Sequence, residues 1–152
     1  MNSGPWSIVL PMLIVLTSGA PSQESAPPGR PVQPSCRFTL RECVNEFTAS
    51  RVESTAAGYQ YWFVGKDFLD GRTVKMSVVR AHSATHAPHR HAEDELFFIL
   101  EGTAEVFLDG EKRVVQAFTS FYCPPHSEHG IRNAGSSDLK YLVIKKYGMR
   151  QE

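Results

Sequence analysis

The sequence predicts an all-β domain, built as a barrel or sandwich of short strands. Apolar and polar residues alternate in several short runs, which is the periodicity of a half-buried strand. Turn-forming pairs such as Asp70-Gly71 and Asp109-Gly110 separate these runs. No convincing helix of about ten residues appears after position 50. Many short strands at regular spacing are typical of sandwiches and barrels.

The predicted strands begin at residue 57. The first, at 57–64, is rich in aromatic residues, and the second, at 72–81, alternates Val74, Met76 and Val78 with polar residues. The remaining strands are predicted at 95–100, 104–108, 113–115, 118–123, 130–133 and 140–147. Asp109-Gly110 is a strong hairpin signal between two of them.

The first 35 residues are not expected to belong to the folded domain. Residues 1–20 resemble a signal peptide, because the apolar run from Ile8 to Leu16 is shorter than the about 20 residues of a membrane span. Pro21 disfavours cleavage directly after Ala20. Residues 21–35 contain five prolines and form a predicted linker. We therefore expect an exported, periplasmic or extracellular protein with no stable membrane span and a folded domain at 36–152.

The net charge and the positions of the histidines indicate which classes of ligand the protein binds. The formal net charge is zero, so nothing indicates a nucleic-acid partner. All six histidines lie between residues 82 and 129. Such clustering favours a metal site.

Four residues are the predicted metal ligands. His89 and His91 are separated by one residue, so on an extended chain both imidazoles point to the same face. Glu95 opens the next extended run and can reach the same point, and His129 precedes the run at 130–133. Three imidazoles and one carboxylate suit a divalent transition metal such as Fe, Mn, Ni or Zn, one per chain. Glu93 and Asp94 are weaker alternatives to Glu95.

Two stretches resemble the motifs of the cupin superfamily. Residues 83–102 match the first motif at His89, His91, Glu95 and Gly102, and residues 118–133 match the second at Pro124, His129 and Asn133. The resemblance implies a single-domain cupin jelly roll that holds its metal inside one mouth.

The match to these motifs is incomplete. Ser83, Phe118 and His126 stand where the pattern has glycines. These departures place loop conformations in question rather than the four ligand positions.

Other residues are assigned on weaker grounds. Phe97 and Ile99 are two and four residues after Glu95, so on a strand they point to the same face as Glu95. They either line a substrate pocket or pack in the core. His126 is a candidate catalytic acid or base, although an exposed loop position fits equally well. His86 is a lesser candidate of the same kind.

Several functions fit such a site. A small-molecule metalloenzyme with dioxygenase-like chemistry is favoured, and a metal-dependent lyase, hydrolase or isomerase is the alternative enzyme. A non-catalytic cupin that binds a sugar or small acid, or a purely stabilising metal site, is the contrasting hypothesis. The ligand would be a small molecule in each case except the last.

The segment at 36–50 leaves two questions open. Leu40, Cys43, Val44 and Phe47 have helical spacing, whereas residues 36–41 alternate like a strand, so a Cys36–Cys43 disulfide is neither required nor excluded. Because similar cupins commonly dimerise by lending a terminal strand, we expect a homodimer in which 36–50 is the exchanged arm.

Overall fold

Two antiparallel sheets form the domain in a computed structural model, which describes residues 38–67 and 71–148. The strands within these residues are β1 (Glu53–Thr55), β2 (Gly58–Val64), β3 (Arg72–Val79), β4 (Glu95–Glu101), β5 (Thr103–Leu108), β6 (Glu111–Gln116), β7 (Ser120–Cys123), β8 (His129–Asn133) and β9 (Leu139–Lys146). The larger sheet has the order β1-β2-β3-β9-β4-β7, and the smaller has the order β6-β5-β8. The predicted all-β jelly roll is confirmed.

The ends of the predicted strands lie within two residues of the observed ones. β1 was not predicted, and β6 is longer than the expected 113–115. β7 begins at Ser120 rather than at residue 118 because Phe118 has a left-handed backbone, with φ of 62°. The expected signal peptide at 1–20 and linker at 21–35 lie outside the described residues. No helix within the described part of the chain is long and apolar enough to cross a membrane.

The segment before β1 contains one turn of helix, α1 (Leu40–Cys43). Thr39 and Glu42 form a capping box, in which the Thr39 amide donates to the Glu42 carboxylate at 2.7 Å. Cys43 is exposed, and Cys36, its possible disulfide partner, lies outside the described residues. The segment therefore combines a short helix with extended chain, and the disulfide remains untested.

Residues 46–48 fasten this segment to β2. The Tyr61 hydroxyl donates to the Glu46 carbonyl at 2.7 Å, and the Phe47 and Tyr61 rings lie 4.9 Å apart. Leu40 and Val44 remain exposed. The contact fixes where the segment joins the outer face of the larger sheet.

Strand register arranges the interior side chains in rows across the larger sheet. Thr73 on β3 is opposite Lys145 on β9, Lys145 is opposite Glu95 on β4, and Glu95 is opposite Cys123 on β7. We call these four residues the mouth row. The next row inward contains Lys75, Val143, Phe97 and Phe121. Charge is therefore concentrated at one end of the interior.

The opposite end of the barrel is apolar. Val79, Leu139, Ile99 and Ala104 are fully buried there, and we call them, with Asn133, the base layer. The Asn133 amide group donates to the carbonyls of Val79 at 2.9 Å and Ser137 at 2.7 Å, and its side-chain oxygen accepts from the Gly135 amide. Asn133 thus closes the base through three side-chain hydrogen bonds to backbone groups.

Candidate metal centre

Three imidazoles converge beside the mouth row. His129 is the first residue of β8, and its backbone exchanges two 3.0 Å hydrogen bonds with His89. This bridge fixes the separation of the two residues, and the extended chain then carries His91 to the same side. Ligand atoms of His89, His91 and His129 all lie within 4.8 Å of one another.

Each of these imidazoles presents a buried nitrogen that has no hydrogen-bond partner: Nδ1 of His89 and Nε2 of His91 and His129. The second nitrogen of two rings is occupied instead. Nδ1 of His91 lies 2.7 Å from the Glu93 carbonyl, and Nδ1 of His129 lies 2.9 Å from the Ser127 carbonyl. Because a carbonyl oxygen can only accept a hydrogen bond, Nδ1 carries the hydrogen in both rings and the Nε2 lone pairs are free to bind a metal.

Glu95 supplies a carboxylate to the same point. It is the first residue of β4 and only 9% exposed. One of its oxygens lies 3.4 Å from Nε2 of His91, and the other lies 3.4 Å from Nε2 of His129. The Lys145 ammonium lies 3.2 Å from the first of these oxygens. Glu95 therefore stands between two candidate ligands and a buried cation.

The surroundings favour the protonation states that a metal requires. Burial opposes ionisation of Glu95, but the Lys145 ammonium outweighs it, with help from His91 and His129, and the pKa of the carboxyl falls below its ordinary value. Burial, with smaller contributions from His86 and His129, lowers the pKa of His89. At neutral pH the site thus offers an ionised carboxylate and a neutral His89 imidazole, as metal ligation demands.

The donor set fits a divalent transition metal. Two ligand atoms that each lie about 2.1 Å from one ion are about 3.0 to 3.5 Å apart at octahedral or tetrahedral angles. The two separations of 3.4 Å between Glu95 and the imidazoles fall in this range. Buried nitrogens without partners are rare in folded proteins, and a bound cation would satisfy all three.

The other predicted site residues occupy different positions. Phe97 is buried one row below the mouth, with its ring 6.4 Å from that of His129. Ile99 lies deeper, in the base layer, and packs in the core. The His126 side chain is exposed, although its backbone amide donates to the His91 carbonyl at 2.8 Å. Phe97 therefore has a ring contact with a candidate ligand.

The remaining acidic and histidine candidates border the site. The Glu93 carboxylate lies 3.7 Å from Nδ1 of His91 and 3.6 Å from the Lys145 ammonium. Asp94 is exposed. The exposed His86 ring makes an edge contact with His89 at 4.4 Å. Glu93 thus orients neighbouring groups, while Glu95 faces the point where the imidazoles meet.

Sequence reasoning missed the interior lysines. Lys145 is two residues after Val143 and four after Tyr141, so on a strand all three side chains point to the same face. Because Tyr141 and Val143 are buried core residues, this spacing could have predicted that Lys145 points inward. Cys123, the last residue of β7, is fully buried. It borders Glu95, and burial raises the pKa of its thiol to about 12, so it is protonated at neutral pH.

Comparison with known proteins decides the family. Residues 76–145 match the sequence model of the Cupin domain family. The chain contains a cupin domain. A Cupin 2 conserved barrel domain protein of Salinispora arenicola has the same fold, with a TM-score of 0.57 and 18% identity over 68% of this chain and 87% of that one.

Two curated relatives match part of this cupin. An uncharacterized protein of Methanocaldococcus jannaschii is 35% identical over 66 residues, which are 43% of this chain and 53% of the relative. A 5-nitrosalicylic acid 1,2-dioxygenase of Bradyrhizobium is 39% identical over 56 residues, which are 37% of this chain and 27% of the relative. The match therefore spans about half of the first relative and about a quarter of the second.

Proposed function

We propose that this cupin is a metal-dependent enzyme that acts on a small molecule, with dioxygenase-like chemistry. His89, His91, Glu95 and His129 would hold one divalent transition metal ion. The observation that carries the proposal is the convergence of three buried imidazole nitrogens, none with a hydrogen-bond partner, around the Glu95 carboxylate.

A metal ion held there would supply a Lewis-acidic centre with about two further positions for oxygen or an organic substrate. The protein's own groups prepare that centre. The Glu93 and Ser127 carbonyls orient two imidazoles, and Lys145 orients the carboxylate. Phe97 closes the interior below and excludes water from that side. The remaining approach is from the mouth.

The oxygenase chemistry has weaker support than the metal. It comes from the short match to a protein named as a nitrosalicylate dioxygenase. A lyase, hydrolase or isomerase would use the same ligands and no oxygen, and a binding protein would turn over nothing. These alternatives make different experimental demands.

An oxygen-electrode screen separates them. Protein loaded with iron, manganese, nickel or zinc is assayed against aromatic and enolic compounds. The oxygenase proposal expects oxygen uptake with iron and none with redox-inert zinc. Turnover under strict anaerobiosis rejects it. Lys112→Met, which changes an exposed side chain outside the ligand set, should remain active.

Export and dimer formation are further proposals. For export, mass spectrometry of protein from its own host should find a chain that starts between about residues 18 and 27, at the end of the predicted signal peptide. For the dimer, the exposed Leu40 and Val44 supply apolar surface for a second copy. Light scattering at micromolar concentration should give twice the monomer mass, and a monomer would reject the exchanged arm.

A further inference from the structure

Two lysines lie inside the barrel beside the proposed metal site. Lys145 in the mouth row has a side chain only 7% exposed. Lys75 on β3 shares its face with Thr73 and Ser77, each 2% exposed, and is opposite Val143 in the core. Both ammonium groups therefore belong to the interior face of the larger sheet.

The two charges are balanced differently. Lys145 has Glu95 at 3.2 Å and Glu93 at 3.6 Å. Among the described residues, no carboxylate lies within 4.0 Å of the Lys75 ammonium, which is the limit for an ion pair. This ammonium lies 5.2 Å from the centre of the Trp62 ring. A half-buried cation without a counter-ion is costly, and a bound anion would remove that cost.

Lys75 is electrostatically coupled to the metal site. Burial lowers the pKa of its ammonium and Lys145 adds to that change, whereas the Glu95 carboxylate and, more weakly, the exposed Glu53 carboxylate oppose it. The charges of Glu93 and Glu95 cancel those of the two lysines. A divalent ion would then leave an excess of two positive charges in the mouth, and such a partly enclosed positive site attracts anions.

We infer that the ligand of this mouth is an organic acid whose carboxylate pairs with the Lys75 ammonium, while its apolar part lies against Trp62. The inference rests on the proposed function, because it names the substrate class of that site. The indole beneath the ammonium favours a flat apolar group next to the carboxylate, as in an aromatic acid. A neutral sugar would leave Lys75 without a counter-ion.

Benzoate and its neutral analogue benzamide test the inference. Binding is measured by titration calorimetry at low ionic strength, on metal-free protein and on zinc-loaded protein, where zinc prevents redox turnover. We expect benzoate to bind at least about tenfold more tightly than benzamide, and added salt to weaken it. Lys75→Met should weaken benzoate binding about tenfold, whereas Lys75→Arg should stay within about threefold of the wild type.

Lys112→Met is the matched control. Lys112 lies beside a groove of about 540 Å³ that Phe107 and Arg132 also line, and its side chain is 63% exposed. Its replacement should leave benzoate affinity unchanged. A loss in Lys112→Met but not in Lys75→Met would place the acid in that groove and overturn the inference.

The remaining outcomes are equally decisive. Equal affinity for benzoate and benzamide, no benzoate binding at millimolar concentration, or unchanged binding in Lys75→Met would each overturn the inference. If Lys75→Met does not fold, the benzamide and salt comparisons on the wild type decide alone. Benzoate binding that depends on Lys75, in a protein without oxygenase activity, would support the inference and reject the proposed enzyme.

Discussion

The two ends of the barrel differ in whether their buried polar groups have hydrogen-bond partners. At the base, the Asn133 side chain makes three hydrogen bonds to backbone groups. At the mouth, three buried imidazole nitrogens have no partner, and a lysine and a glutamate are paired beside them. Because unsatisfied buried groups are costly, the base is built for stability and the mouth for a ligand.

The same division runs through the cupin motifs. Their histidines and Glu95 lie at the mouth, whereas Gly102 and Asn133 lie at the base. Gly102 has φ of 88°, and a Cβ there would lie 2.7 Å from the Asp138 carbonyl oxygen. Each motif thus contains both candidate metal ligands at the mouth and a residue that fixes the backbone at the base.

The largest expected effect on stability is at the base. Asn133→Ala should lower the free energy of unfolding by about 3 kcal/mol, because it leaves buried backbone groups without partners. Denaturant titration measures the loss. The exposed Asn45→Ala, whose side chain makes one 3.4 Å hydrogen bond, should change stability by less than about 0.5 kcal/mol. Folded Asn133→Ala should keep its metal, and loss of metal without loss of stability would contradict the division.

The next effect concerns the mouth. Lys145→Met should destabilise metal-free protein by about 2 kcal/mol, because Glu95 loses its buried cation. It should also weaken metal binding about tenfold, because Lys145 keeps the Glu95 carboxylate ionised and oriented. Competition with a chelator measures this affinity. Lys140→Met, which breaks an exposed pair with Glu101, should change neither quantity, and unchanged or tighter metal binding in Lys145→Met would refute the account of Glu95.

Acidification should lower the stability of the metal-free protein through the titratable residues of the mouth. The pKa of folded His89 is below its unfolded value of about 6.5, so the unfolded state binds more protons and stability falls as pH drops below that value. The lowered pKa of Glu95 extends the loss below about pH 4.5. Denaturation of metal-free protein across pH 7 to 4 tests this. His89→Gln should flatten the upper part of the profile, whereas Asn133→Ala should not.

The smallest effect concerns two strained loop residues. Phe118 and His126 replace motif glycines yet keep left-handed backbones, with φ of 62° and 63°. Phe118 is 82% exposed, so Phe118→Gly should raise stability by up to about 1 kcal/mol by relieving strain. His126→Gly preserves the same backbone while removing the imidazole. Reduced turnover in His126→Gly with metal retained would support the catalytic role predicted for His126.

Local patterns were enough to predict most strands and to select the residues that meet at the site. Alternation, aromatic and apolar runs, and turn signals together identified β2 through β9. The spacing of His89, His91 and Glu95 identified side chains that the structure brings together. The interior lysines depend on tertiary register. Lys140 and Lys146 lie in the same strand as Lys145. The position of Lys145 opposite Glu95 distinguishes it as the buried lysine.

Two other features were also beyond local reasoning. At residues 39–43, the capping box competed with an alternating pattern, and both signals fit the sequence. At Phe118, a large apolar residue predicted a strand. The Phe118 amide instead donates to the Ile99 carbonyl and the Ile99 amide donates to the Thr119 carbonyl, which holds residue 118 in a turn. In both places the surrounding structure decided between local preferences.

Metal content tests the central claim most directly. Protein purified without a metal-affinity tag, from cells supplied with iron, manganese, nickel and zinc, is analysed for elements beside a His91→Ala/His129→Ala double variant. The account predicts close to one transition-metal ion per wild-type chain, and almost none in a folded double variant, because two of the converging imidazoles are removed. Full occupancy in the double variant, or a wild-type protein that binds no metal, would contradict it.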